Sequence, residues 1–133
     1  MTPETASIQS FKQQIRAEWA NAANVAAWRK WHPKFVIASR DSTNAIVQAA
    51  HIAPGMRVLD LASGTGEPSL TLARAVGTDG LVTATDLGKD MLKVAEENIR
   101  QEGLTNVTFQ EADAHKLPFP DQSFDRATCR FGV

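Results

Sequence analysis

Apolar side chains recur along this chain in two rhythms. In its first third, Phe11, Ile15 and Trp19 are spaced by four, and Trp28 and Trp31 by three, so each set shares one helix face. The alanine-rich segment 7–31 is therefore predicted as helix, broken by His32-Pro33 because the residue before a proline is pushed out of the helical region. Its tryptophans suit either core packing or an aromatic lid over a ligand. A second helix is expected over 42–51, with Asp41 or Ser42 as its cap, before a Pro54-Gly55 turn. Beyond that turn, short apolar runs alternate with amphipathic ones. Strands are predicted at 56–61, 81–85, 106–110 and 124–130, and helices at 67–76 and 89–102. Met91, Leu92, Ala95 and Ile99 mark the buried face of the last helix, and Gly103 stops it. A proline-bearing loop, 116–123, precedes the fourth strand.

Strands alternating with helices of this length indicate βαβ units, an α/β fold with a parallel sheet and flanking helices. In such a sheet a ligand lies beyond the carboxyl ends of the strands, where the strand order reverses. Asp60, Asp86, Asp113 and Arg130 all fall at those ends.

Composition narrows the choice of function. A length of 133 residues suits one domain, and 43% apolar residues suffice for a core. A net charge of −1 gives no nucleic-acid footprint, and no run is long and apolar enough to span a bilayer. The amino terminus carries no basic patch followed by an apolar run, so a cytoplasmic protein is expected. Cys129 is the single cysteine, and it reads as packing on an apolar strand. His32, His51 and His115 lack metal-ligand spacing, so no metal is expected.

The stretch Leu59-Asp60-Leu61-Ala62-Ser63-Gly64-Thr65-Gly66-Glu67 reads as strand, tight turn and helix start. A nucleoside triphosphate is disfavoured, because Glu67 stands where a phosphate loop needs lysine. A dinucleotide is disfavoured too. The glycine spacing differs from G-x-G-x-x-G, and the Glu67 carboxylate would repel pyrophosphate at the helix amino terminus. A nicotinamide dehydrogenase is accordingly the least favoured function. What remains is a phosphate-free nucleoside such as S-adenosylmethionine. Asp86, 20 residues past Gly66, offers two acceptor oxygens for its ribose hydroxyls.

Four blocks then carry a resemblance: "PGMRVLDLASGTGEPSLTLA", "VTATDLGKDMLKVAEENI", "QEADAHKLPFPDQSFD" and "RATCRFGV". In order and spacing the chain resembles the class I S-adenosylmethionine-dependent methyltransferases, in particular the branch of ubiquinone and menaquinone biosynthesis. The resemblance implies a Rossmann-like sheet, incomplete at four strands, behind an N-terminal helical cap. It places the cap in residues 1–40 and the first part of the cofactor domain in 41–133. It implies S-adenosylmethionine as cofactor. Ala62, Gly64, Thr65 and Gly66 would run under its methionine part, with Asp60 anchoring that loop. Asp86 would hold the ribose, and Leu87 and Met91 would pack near the adenine. Asp113 would accept from the adenine amino group, Ala114 would meet the ring edge, and Arg130 would touch the cofactor. Catalytic residues stay unassigned. The implied function is methyl transfer to a small molecule such as a quinone precursor or lipid. The alternative is a non-catalytic, cofactor-binding or truncated chain without the substrate half.

The family's strand order puts the second and third strands on one side of the first and the fourth on the other. Right-handed crossovers would then place both sheet helices on one face. The other face is expected to be uncovered, with Leu59, Leu61, Val82, Ala84 and Ala127 including side chains that meet water. The fourth strand becomes an open edge. Self-association or a complementary fragment is the expected consequence.

Overall fold

A computed structural model of the chain describes residues 1–132; Val133, the last residue of the fourth block, lies outside them. Two helices, α1 (Pro3–Ala20) and α2 (Ala22–Ala38), lead into α3 (Arg40–Ala49). The order then runs β1 (Arg57–Leu61), α4 (Ser69–Val76), β2 (Leu81–Asp86), α5 (Lys89–Gln101), β3 (Val107–Glu111) and β4 (Arg126–Cys129). All strand pairs are parallel, in the order β3-β2-β1-β4. The α/β, Rossmann-like sheet with N-terminal helices is thus present, and each predicted strand and sheet helix appears within one or two residues at most boundaries. The largest differences are two residues, at the starts of α4 and β4. No helix among the described residues is long and apolar enough to cross a membrane.

The amino-terminal third departs from expectation in three ways. Its single helix is two, divided at Asn21. That residue closes α1 and caps α2, its side-chain oxygen accepting the N–H groups of Ala23 and Asn24. The helix is not broken by His32-Pro33: α2 runs through both to Ala38. Pro33 and Arg29 are exposed, so the carbonyl that loses its partner can be hydrated instead of stranded. The third helix begins at Arg40, not near Ser42. Its cap residue Ser39 makes no side-chain bond to the helix N–H groups and donates to the Phe35 carbonyl instead.

The core sits between the sheet and α4. Val58 and Val82 are in register and pack with Leu72, Ala73 and Val76 of α4, with Val107 of β3 at the edge. α5 lies against β2 and β3 and buries Met91, Leu92, Val94, Ala95 and Ile99. Gly66 shows how close α5 comes to the loop after β1. Its φ is 119°, and a Cβ there would stand 3.5 Å from Ala95 and Ile99.

The opposite face differs from the expectation of an uncovered apolar patch. Val82 and Ala84 belong to the helix-covered face and are fully buried. Leu59 is 4% exposed, Leu61 is half-buried, and only Ala127 of the five is exposed. The proline-bearing loop folds over this face. Phe119 and Phe124 meet edge to face at 5.2 Å and border a cavity of about 570 Å³ with Leu81, Thr83 and Thr108. β4 does form an edge of the sheet.

Candidate functional site

A second cavity, of about 460 Å³, opens at the carboxyl ends of β1, β2 and β3 beneath the first two helices. That volume lies in the range of small-molecule and cofactor pockets. Its floor is the loop after β1, which the sequence forces into a tight turn. Ala62 has φ 52°, Gly64 55° and Gly66 119°, and the Glu67–Pro68 bond is cis. Four hydroxyls and a carboxylate fix this loop from below. Asp60 is wholly buried; its Oδ2 accepts from Ser69 Oγ at 2.5 Å and its Oδ1 from Thr128 Oγ1 at 2.8 Å. Its carbonyl accepts from Ser63 Oγ and Thr85 Oγ1. Burial raises the Asp60 carboxyl to about 6, against the pull of those hydroxyl donors.

Asp86 ends β2 at the cavity wall. Its Oδ1 accepts the Gly88 N–H at 2.8 Å and its Oδ2 the Gly64 N–H at 2.9 Å. A carboxylate has about four lone-pair directions, so two remain for a ligand's hydroxyl pair. Burial pushes its pKa up while the backbone amides of Gly88, Gly64 and Leu87 pull it down. Leu87 and Met91 supply the apolar wall beside it, and Ala112, Asp113, Ala114 and His115 the opposite rim.

Acid and base alternate around the far end. The Glu67 carboxylate folds onto Thr71 Oγ1 at 2.9 Å, and burial raises its pKa. The helix begins at Ser69 with Pro68 as cap, so Glu67 precedes α4 instead of opening it. Arg130 is 8% exposed and donates to the Glu67 carbonyl at 3.1 Å and to Thr43 Oγ1. Its guanidinium lies 5.4 Å from the ring centres of Phe35 and Phe131. Burial lowers its pKa, although Glu67 and Asp60 act to raise it. Donors on this buried cation stay free for an anionic or carbonyl oxygen.

Of the residues expected in the site, Ala62, Gly64, Thr65, Asp86, Leu87, Met91, Asp113, Ala114 and Arg130 line this one cavity. Asp60 lies beneath the loop and Gly66 belongs to it, but neither lines the cavity. The aromatic contribution was legible only as an alternative. Trp19 and Trp28 line the cavity with ring centres 6.2 Å apart, and Trp28 meets Phe35 edge to face at 5.3 Å. Trp31 stays 49% exposed beside Lys30 and Lys34, and Phe11 is 62% exposed, so neither shares the environment of its predicted partners. His32 was missed. It sits four residues after Trp28 on α2, and its Nδ1 is 2.7 Å from Thr65 Oγ1. Burial, then Arg130, lowers its pKa. Lys12, which reaches Asp113, gave no local signal at all.

Comparison with known proteins agrees with this geometry. A family model described as "Methyltransferase domain" matches residues 52–131. The ubiquinone/menaquinone biosynthesis C-methyltransferase UbiE of Shewanella pealeana is 46% identical over 88 residues, which cover 65% of this chain and 35% of that protein. The chain thus spans about a third of the length of the curated relatives it matches. Among solved structures, a SAM dependent methyltransferase from Aquifex aeolicus superposes with a TM-score of 0.61 at 30% identity, over 65% of this chain and 46% of that one. A protein from Methanococcus maripaludis, at 23% identity and a TM-score of 0.70, covers 81% of this chain and 49% of its own, and shares the fold. Because that family model matches residues 52–131, more than half of its length, the chain belongs to the methyltransferase domain family.

Proposed function

We propose that the cavity binds S-adenosylmethionine and that the protein transfers the cofactor's methyl group to a small-molecule acceptor, such as a quinone precursor or lipid. The observation that carries this reading is Asp86, half-buried at the end of β2 with two acceptor directions left for a ligand in the cavity it lines. The remaining residues fit the same occupant. Leu87 and Met91 offer an apolar wall for a base, and Asp113 and Ala114 its polar edge. Gly64 leaves open space where a Cβ would stand, so a ligand can approach the backbone.

When bound, the cofactor supplies an electrophilic methyl group on a positively charged sulfur. The chain's own part is alignment and exclusion of water. Trp19, Trp28 and Phe35 roof the cavity, and Glu67 and Asp86 give it a negative field that suits a cation. Fixing the two reactants in line can contribute about 7–11 kcal/mol in the best cases. Arg130 presents free donors to an oxygen of the cofactor or of the acceptor.

The test is calorimetric titration with S-adenosylhomocysteine. Micromolar binding is expected, and Asp86→Ala should weaken it by about 100-fold, since two hydrogen bonds to a charged group are lost. An unaltered affinity in Asp86→Ala, or no binding to the folded protein, would overturn the reading. Methyl transfer to a demethylated quinone precursor then separates an enzyme from a module that only holds the cofactor.

A further inference from the structure

Asp113 stands in the turn after β3, and its carboxylate is held on both oxygens. Oδ1 accepts the backbone N–H of His115 at 2.9 Å and lies 3.0 Å from the ring Nδ1 of the same residue. Oδ2 accepts from Lys12 Nζ at 2.5 Å. Of about four lone-pair directions, three are taken and one is left, on Oδ2. Asp113 lines the cavity; Lys12 does not.

Lys12 comes from α1, 101 residues away in the sequence, and the pair is part-buried, at 24% and 18% side-chain exposure. The same helix face carries Ile15 and Trp19, three and seven residues on, and both line the cavity. Trp19 also backs onto the turn that follows Asp86, since a Cβ added at Gly88 would lie 3.2 Å from its Cβ. The helix therefore sits over this end of the cavity with an ion pair at one side and an indole at the other. His115 grips Oδ1 alone. Without the ammonium, the carboxylate would be free to swing its second oxygen away.

We propose that Lys12 is a positioning residue of the nucleoside site. By fixing Oδ2 it aims the last acceptor direction of Asp113 at the exocyclic amino group of a purine, and so sets the preference for adenine over a base with a carbonyl at that place. This rests on the cavity being an S-adenosyl site. A carbonyl facing Oδ2 would set two acceptors against each other, and a site built to receive a donor rejects a ligand that lacks it.

The experiment is titration of the protein with S-adenosylhomocysteine and its hypoxanthine counterpart, S-inosylhomocysteine. The wild type should prefer the adenine compound. Lys12→Met should lose about tenfold of that preference, the size of one charge-assisted hydrogen bond, and Lys12→Arg should restore most of it. Lys12→Gln is read the same way should the methionine variant not fold. If both affinities fall together and their ratio is unmoved, Lys12 only holds the helix down and the proposal is overturned. If neither compound binds the wild type, the proposal falls together with the cavity reading. If Asp86→Ala abolishes binding while Lys12→Met leaves the ratio intact, the proposal falls alone.

Discussion

Ala62 carries a side chain where the backbone turns left-handed, and a Cβ placed on Gly132 would fall 2.4 Å from its own Cβ. The left-handed region costs a non-glycine residue about 1–2 kcal/mol, partly offset by the entropy glycine would add to the unfolded chain. Ala62→Gly is therefore expected to stabilise by up to about 1 kcal/mol. Gly132→Ala should destabilise, and less so in the Ala62→Gly background, because the methyl it strikes is then gone. A double-mutant cycle by thermal denaturation reads that coupling. Asp60 makes a pH-dependent counterpart beneath the same loop. Its carboxyl titrates at about 6 in the fold, against about 3.9 unfolded. Between those values the native state binds more protons than the unfolded one, so stability falls as pH rises through that window. The stability present below pH 4 is lost above about 6, on the order of 3 kcal/mol from this group. Asp60→Asn should flatten that part of the profile in urea titrations from pH 4 to 7. An unchanged slope would count against burial as the cause.

The elements differ in how plainly the sequence announced them. β1 and β2 are apolar runs bounded by glycine turns, and α5 is strongly one-sided, so pattern alone located them. The alanine-rich first third offers no such contrast. Small side chains suit any helix face, and the division at Asn21 rests on one side-chain oxygen that serves the helix after it. Asn21→Ala should cost about 1 kcal/mol and loosen the angle between α1 and α2, a loss visible in helical circular dichroism on heating. Pro33 misled for the opposite reason: the rule against proline assumes a carbonyl that has nowhere else to turn, and here Arg29 and Pro33 are both exposed residues. Pro33→Ala restores an N–H to the helix and should raise the melting midpoint, with a gain of about 1–3 kcal/mol. The site followed the same division. Ligand-facing residues at strand ends were legible because the fold itself puts them there. The partners from α1 and α2 were not, since contacts such as Lys12–Asp113 and His32–Thr65 join distant parts of the chain and leave no periodicity.

At the scale of the whole molecule, the first two helices and the sheet are joined by few links. Among the described residues, Lys12–Asp113, Arg29–Glu97 and His32–Thr65 are the hydrogen-bonded or ion-paired ones; α1 and α2 otherwise rest on α5, with α2 also against α3 and Phe35 beneath Arg130. Two of the three tryptophans sit at the seam, so occupancy of the cavity should be visible in emission. Binding of S-adenosylhomocysteine is expected to shift the fluorescence of Trp19 and Trp28. The change should survive Trp31→Phe and fade in Trp19→Phe or Trp28→Phe.

α1 itself has no buried residue, although its inner side chains line the cavity. A segment so lightly anchored can lift away while the strands keep every one of their ladder bonds, so the roof has a lower opening free energy than the walls. Amide exchange along α1 should therefore be fast in the empty protein and slow with nucleoside present, while β1 and β2 exchange at one rate in both. The entrance would then be a door on a light hinge, shut by whatever it admits.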